Sequence, residues 1–146
     1  MYTIEEINEI KALAVEGGLH FPEDLLFTPA KDLQKIFNGV GASWQSESSR
    51  KTLSKIYEFA EATALIHDYQ YSLASLDLKA QQKADDLFLL NGIKENLFKS
   101  KTIFSISFWW NCRKVVLAYL LLRRLGSIAW KTNYIDKLKE EQHENK

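Results

Sequence analysis

The sequence is short of the residues that cross-link or interrupt a chain. It has one cysteine, Cys112, with two prolines and six glycines in 146 residues. A single cysteine cannot form an internal disulfide framework, and it offers no second thiolate for a zinc site. So few prolines and glycines, with 46% hydrophobic residues, exclude collagen-like and low-complexity chains. The composition is that of one globular domain with a sizeable core.

The sequence also lacks an excess of charge and a long apolar run. Nineteen basic and nineteen acidic residues cancel, so we expect no nucleic-acid partner. The most apolar run, VVLAYLLL, has only the eight residues 115–122, whereas a membrane-spanning helix needs about 20. The N-terminal stretch MYTIEEINEI is acidic and has no apolar h-region. We therefore expect no signal peptide and synthesis in the cytoplasm.

Apolar residues recur at helical spacing along most of the chain, and no stretch sustains the alternation of a strand. Thr3 and Glu6 form a capping-box pattern ahead of a first helix, which we expect to stop at Gly17. We therefore predict an all-α protein with a single domain over residues 1–135. The charged residues 136–146 are predicted to form a disordered tail.

Three longer helices follow from the same patterns. One is expected to begin near Ser49 and to carry the HDYQY segment. The next has apolar residues from Ala80 onward and is expected to end at Gly92. The last is expected over residues 105–125, ending at Gly126.

The HDYQY segment, residues 67–71, places polar groups on the apolar side of its helix. His67 and Tyr71 are four residues apart, so their side chains stack on one face. Asp68 lies about 100° around the helix from His67, so it points along a neighbouring edge and does not orient the imidazole. Either the polar groups are hydrogen-bonded core residues, or the helix carries a general base and a ligand.

The KADDLF segment, residues 83–88, supplies the candidate partner for His67. Asp85 lies on the border of the inner face of its helix. From an antiparallel neighbour it can reach one imidazole nitrogen and the Tyr71 hydroxyl, which leaves the other nitrogen free as a general base. The alternative is that Asp85 is a surface charge or a cap for a neighbouring helix.

The FNGVG segment, residues 37–41, is a candidate cation loop. Gly39 and Gly41 allow a tight turn in which backbone carbonyls converge. The carbonyls of Phe37, Gly39 and Gly41 would combine with the Asp68 carboxylate as the hard oxygen ligands that Ca²⁺ prefers. The alternative is an ordinary glycine cap at the end of a helix.

In this order, FNGVG, HDYQY and KADDLF resemble the motifs of the phospholipase A2 superfamily. They are closer to its viral and phage-type branches than to its disulfide-rich secreted enzymes. That pattern has an aromatic-x-Gly-x-Gly loop, then His-Asp-x-x-Tyr on a helix, then a second Asp on the next helix. The stretch RKVVLAYLLLRRLGSIAW is similar to the basic, aromatic ending of phage and prophage proteins of this sort. The resemblance covers roughly residues 37–130.

The resemblance implies a phospholipase A2-like core and calcium-dependent hydrolysis of the sn-2 ester of glycerophospholipids. His67 would deprotonate a water, Asp85 would orient the imidazole, and Tyr71 would hydrogen-bond Asp85. Asp68 and the loop carbonyls would hold Ca²⁺, and the Gly39 amide would assist at the oxyanion. The resemblance also implies a phospholipid or membrane surface as partner, and association with a virion.

Two other classes of function fit the sequence. In a non-enzymatic phage or prophage structural protein, His67, Tyr71 and Asp85 would form a buried hydrogen-bond network that specifies the core. In an interaction module, the aromatic helix near residues 108–125 would form an oligomer whose size the sequence does not give.

The SFWW stretch, residues 107–110, is followed by Arg113 and Lys114. It suits either a contact with membrane headgroups or core packing with a basic edge. We expect core packing, because the neighbouring apolar residues need burial.

Overall fold

The structure is a computed structural model that describes residues 2–37, 57–73 and 77–144. Within these ranges the chain forms helices and no strand, so the all-α prediction is confirmed. A short 3₁₀ helix, Glu58–Ala60, leads into the fourth α-helix. The α-helices are α1 (Ile4–Glu16), α2 (Asp24–Phe27), α3 (Ala30–Ile36), α4 (Glu61–Ser72), α5 (Leu78–Ser100) and α6 (Ile106–Glu144).

The first four helices enclose the larger hydrophobic core. The predicted capping box begins α1: the Glu6 amide donates to Thr3 Oγ1 at 3.1 Å, and the Thr3 amide donates to Glu6 Oε2 at 2.6 Å. The helix ends at Gly17, and Gly18 follows with a positive φ of 61°. The buried core residues are Ile7, Ile10, Ala14, Leu19, Leu25, Leu33, Phe37, Ala62, Ala64, Leu65, Ile66 and Tyr69.

Helices α5 and α6 run antiparallel against each other. Near their junction, Asn96 Nδ2 donates to the Phe108 carbonyl at 2.9 Å. Further along, a Cβ on Gly92 would lie 2.7 Å from Cγ1 of Val115. Gly92 is therefore a close-approach residue inside α5, where the Val115 side chain takes the space of a methyl group. The prediction that this helix ends at Gly92 is wrong.

The last helix is also longer than its sequence pattern indicates. The prediction that it ends at Gly126 is wrong, because α6 passes through this glycine and continues to Glu144. Residues 136–144, expected to form a disordered tail, belong to the helix.

Helix α4 begins at Glu61, after the 3₁₀ turn, whereas the sequence pattern places its start near Ser49. Residues 38–56 lie outside the part of the chain that the structure describes. The irregular step before Glu61 leaves the first amides of α4 without a side-chain cap from their own segment.

A carboxylate from α5 supplies that missing cap. Glu95, which is 1% exposed, accepts hydrogen bonds from the Ala62 amide at 3.2 Å and the Thr63 amide at 2.8 Å. It also accepts from Thr63 Oγ1 at 2.8 Å and pairs with Lys99 Nζ at 2.9 Å. Amides at a helix N-terminus have no partner within the helix and favour negative charge. Glu95 therefore fixes the start of the helix that carries His67.

A second polar residue of α5 fastens the segment after α1. Asn91 Oδ1 accepts from the His20 amide at 2.8 Å, and Asn91 Nδ2 donates to the His20 carbonyl at 2.7 Å. Lys94 Nζ donates to the Gly18 carbonyl at 3.0 Å. The loop between α1 and α2 is thus held directly on α5.

The outer face of α6 is apolar and exposed. Trp109 and Trp110 are 63% and 58% exposed, whereas Phe108 is 4% exposed. The expectation that the SFWW stretch packs in the core is therefore correct for Phe108 and wrong for both tryptophans. In the described part of the chain, no helix is both long and apolar enough to cross a bilayer.

Candidate active site

The structure brings His67 of α4 and Asp85 of α5 together in the interior. His67 Nε2 lies 3.2 Å from Asp85 Oδ1. Asp85 is 0% exposed. It is therefore fully buried, whereas its sequence position indicates the border of the inner helix face. A buried carboxylate needs hydrogen-bond donors around it, since an unpaired charge is very costly in a protein interior.

Two further donors satisfy Asp85. The Tyr71 hydroxyl donates to Oδ1 at 2.7 Å, and Gln81 Nε2 donates to Oδ2 at 3.3 Å. An ionised carboxylate can only accept hydrogen bonds, so the His67 Nε2 facing it carries a proton. His67 Nδ1 is then the nitrogen with a free lone pair when the ring is neutral.

Tyr71 is held as a permanent donor in this group. Burial of the phenol, followed by its hydrogen bond to Asp85, raises the pKa of Tyr71 well above the ordinary value for tyrosine. The hydroxyl therefore keeps its proton throughout the physiological pH range. This leaves Asp85 with a fixed neutral donor beside the imidazole.

The second nitrogen of His67, Nδ1, makes no hydrogen bond with the described residues. Over the residues that the structure describes, the one buried side-chain polar atom without a hydrogen bond is Gln70 Oε1. That set does not include His67 Nδ1, and the His67 ring keeps a small exposed surface. The side chain as a whole is 8% exposed. An imidazole oriented at Nε2 and open at Nδ1 can accept a proton from a bound water.

Aromatic residues from α5 and α6 close the site. The Phe88 ring meets the His67 ring edge-on at a centroid distance of 5.2 Å. The Trp130 ring meets the Tyr71 ring in the same way at 4.9 Å. Trp130 belongs to α6, beyond the predicted end of that helix at Gly126, and reaches the site directly.

Gly126 allows α6 to pass close to the side chains of Tyr71 and Gln81. A Cβ on Gly126 would overlap the Tyr71 hydroxyl and would lie 3.3 Å from Gln81 Nε2. The glycine that resembles a helix end in the sequence is therefore a packing position inside α6. Its missing side chain gives the space in which Tyr71 and Gln81 reach Asp85.

Asp68 behaves differently from Asp85. It is only partly exposed, and burial raises the pKa of its carboxyl well above the ordinary value for aspartate. Asp68 forms no hydrogen bond or ion pair with the parts of the chain that are described. A carboxylate that is crowded by protein and has no partner would gain from a bound cation, since a nearby positive charge favours the ionised form.

The remaining residues of the candidate calcium site are described only in part. Phe37 ends α3, is buried, and packs on Tyr2 with ring centroids 4.6 Å apart. Gly39 and Gly41 lie outside the described residues. Within those that are described, no group of three or more His, Cys, Asp or Glu side chains could hold a metal ion. A calcium site at Asp68 would therefore need the carbonyl ligands predicted from the FNGVG segment.

Sequence reasoning missed three residues that support the site. Gln81 precedes Asp85 by four residues, a spacing that places both on one face of a helix, and this signal was present in the sequence. Gly126 and Trp130 belong to the stretch that resembles the ending of phage proteins, but no local pattern predicts their contacts with the site, because these depend on how α6 crosses α4. The geometry of the site therefore contains more hydrogen-bonding and packing support than the motif alone predicts.

Comparisons of the chain with protein-family models, curated proteins and solved structures return no match.

Proposed function

We propose that the chain is a phospholipase A2-like hydrolase that cleaves the sn-2 ester of glycerophospholipids in a calcium-dependent reaction. The observation that carries this proposal is the shared acceptor Asp85 Oδ1, which lies 3.2 Å from His67 Nε2 and 2.7 Å from the Tyr71 hydroxyl. His67 Nδ1, which makes no hydrogen bond with the described residues, also supports it, because a hydrolase of this class needs a general base with a free lone pair.

In this mechanism His67 Nδ1 takes a proton from a water while the water oxygen attacks the ester carbonyl. The carbonyl then re-forms, the bond to the sn-2 oxygen breaks, and the imidazolium returns the proton to the leaving alcohol. The products are a fatty acid and a lysophospholipid. Asp85 holds the ring in one tautomer and balances the positive charge that develops on it. General-base assistance of this kind contributes about 100- to 10,000-fold to the rate.

The candidate calcium ligands are Asp68 and the carbonyls of Phe37, Gly39 and Gly41. When bound, calcium supplies positive charge that stabilises the oxyanion formed at the ester carbonyl. The partly buried Asp68 carboxylate, which has no hydrogen bond or ion pair with the described residues, fits a cation ligand.

A second candidate function is a structural or interaction protein of a phage or prophage. Its support is the burial of the network: Asp85 is 0% exposed, Tyr71 5% and His67 6%. In that case the three side chains specify the packing of α4 on α5 and do no chemistry.

Fatty-acid release from mixed phospholipid vesicles separates the two functions. The assay compares calcium with chelator for the wild type, His67→Ala and Asp85→Asn. Asp86→Asn is the matched control, because Asp86 is the exposed neighbour of Asp85 and accepts from Tyr119 at 2.9 Å outside the site.

Release that needs calcium, is lost in His67→Ala and persists in Asp86→Asn establishes the hydrolase. If the folded wild type releases no fatty acid from several lipids, the hydrolase proposal fails and the structural function stands. Circular dichroism of each variant shows whether it is folded.

A further inference from the structure

One end of the α5–α6 pair carries exposed aromatic side chains that the proposed chemistry does not use. Residues 97–114, which comprise the end of α5, the connecting turn and the start of α6, are here named the aromatic–basic tip. Phe104 and Ile106 expose 89% and 90% of their surface. The other large apolar residues exposed in the tip are Leu97, Phe98, Ile103, Trp109 and Trp110. So many exposed large apolar side chains within one segment of the chain point to an interaction surface.

The conformation of the tip is held by local hydrogen bonds. Lys101 ends α5 with a left-handed φ of 56°. Ser105 Oγ accepts from the Phe108 amide at 3.0 Å, and Asn96 donates to the Phe108 carbonyl at 2.9 Å. Phe108 is thereby fixed on the inner side of α6, so the next two residues, Trp109 and Trp110, are directed outward.

Positive charge is concentrated in the same part of the sequence. From residue 96 to residue 135 the sequence has no Asp or Glu. The basic residues of this stretch are Lys99, Lys101, Arg113, Lys114, Arg123, Arg124 and Lys131. Subtracting these seven from nineteen leaves twelve basic residues against nineteen acidic ones in the rest of the chain. The zero net charge therefore hides a separation of about seven charges of each sign.

The exposed apolar surface continues from the tip along α6. Trp110, Leu117, Leu121 and Ile128 are exposed and are spaced seven, four and seven residues apart, which places them on one helix face about 27 Å long. Arg113 lies over the Trp110 ring at 5.7 Å from its centroid. Tryptophan beside basic residues suits the headgroup region of a membrane.

We propose that the aromatic–basic tip, with the apolar face of α6 that continues it, docks on a membrane surface that contains anionic phospholipid. A second copy of the chain is a poorer occupant, because two tips facing each other would bring like charges together without an acidic partner. The inference does not depend on the hydrolase: the tip begins about 20 Å along α5 from Asp85, and binding does not require catalysis.

The test is cosedimentation of the full-length chain with phosphatidylcholine vesicles that contain or lack phosphatidylserine, at low and at high salt. The variants are Trp110→Ser and Arg113→Gln. The matched controls lie on α2 and α3: Phe27→Ser removes an apolar residue that is 84% exposed, and Lys35→Gln removes a basic residue that is exposed and pairs with Asp32 at 2.8 Å. Gel filtration of each protein reports its oligomeric state.

We expect binding that needs phosphatidylserine and weakens with salt. Arg113→Gln should weaken it about fivefold, since one basic residue near an anionic surface contributes about that factor. Trp110→Ser should weaken it as well, whereas Phe27→Ser and Lys35→Gln should not.

Binding that is equal with and without phosphatidylserine, or equal in tip and control variants, overturns the proposal. So does a dimer that Trp110→Ser converts to a monomer, because a second copy then covers the tip. His67→Ala should bind like the wild type. Binding without fatty-acid release would therefore overturn only the hydrolase proposal. Fatty-acid release without tip-dependent binding would overturn only the proposal of membrane docking.

Discussion

Helices α5 and α6 lie side by side, but α5 buries many polar residues whereas α6 exposes many apolar ones. The inner face of α5 is largely polar: besides Ala84 and Phe88, its buried side chains are Gln81, Asp85, Asn91, Glu95 and Asn96. The outer face of α6 is largely apolar and faces solvent, with Leu117, Leu120 and Leu121 all more than half exposed. The usual burial preferences of these residue types would predict the reverse arrangement.

The difference shows that the available partners decide which residues are buried. Each buried polar residue of α5 has a specific partner. Glu95 receives the first amides of α4, Asn91 pairs with the His20 backbone, and Asp85 has three donors. On α6, Val115 is fully buried, whereas the residues of the outer face keep more than half of their surface exposed. A buried polar group with all its partners is tolerated in a core, and an apolar face with no element to cover it stays exposed.

The largest expected effect on stability comes from removing a buried polar group of α5, the Glu95 carboxylate. Glu95→Ala removes the acceptor of two buried amides and a hydroxyl, and should lower the free energy of unfolding by about 3–5 kcal/mol. Glu95→Gln keeps one acceptor oxygen and should lose less. Urea unfolding followed by circular dichroism measures both. An equal loss in the two variants, or a loss below that of an exposed substitution such as Lys83→Ala, would contradict the capping role.

The second effect tests how closely α6 crosses the site. Gly126→Ala places a methyl group on the Tyr71 hydroxyl, so it should destabilise the protein by about 1–3 kcal/mol and weaken the Tyr71–Asp85 bond. Gly92→Ala is the matched control, since it overlaps Val115 in the same helix pair but lies away from Asp85. Both should lower stability. Only Gly126→Ala should also reduce fatty-acid release. Equal release from the two variants would argue against a role of the Gly126 crossing in positioning Tyr71.

The third effect is a gain, and it concerns Asp68. Its folded-state pKa is raised by burial, so its contribution to stability is fully present below the ordinary aspartate pKa. That contribution is lost as the pH rises through the folded-state pKa. Asp68→Asn should therefore match the wild type in acid and be more stable at neutral pH in chelator. Thermal unfolding at several pH values measures the difference, with Asp86→Asn as control. A loss of stability at neutral pH would show that the carboxylate has a favourable partner.

The smallest effect is expected on the exposed side of α6. Leu121→Ser should change the free energy of unfolding by no more than about 0.5 kcal/mol, because the residue is on the surface. Val115→Ala, on the buried side of the same helix, should cost about 2 kcal/mol. Urea unfolding compares the two. A large loss in Leu121→Ser would mean that another part of the protein or a second copy covers this face.

Part of this architecture could be predicted from the sequence. The helical spacing gives the all-α class, and the HDYQY and KADDLF segments place His67, Tyr71 and Asp85 on facing helices. Both patterns are local and repeat along the helix, so they need no knowledge of the neighbours. The phospholipase A2-like core itself stays a prediction.

The rest depends on contacts that a single sequence does not show. Gly92 and Gly126 resemble helix ends, because a glycine without a visible neighbour is usually a cap. In the structure, Val115 and the Tyr71 hydroxyl occupy the space of their missing side chains. In the same way, the spacing of Trp109 and Trp110 identifies a helix face, but it does not say whether another element covers that face.

The pairing of Asn91 with the His20 backbone has a consequence for the smallest unit that can fold. The motif resemblance begins near residue 37, so a shortened protein that starts there keeps all three motifs. Such a protein would lack His20, so the buried Asn91 side chain would lose the two backbone groups with which it hydrogen-bonds. It would also uncover the side of α4 that packs on Ile7, Leu25 and Leu33, all 0% exposed. The first 36 residues are therefore a structural requirement of the helix that carries His67, and truncation at the motif boundary should give an insoluble product.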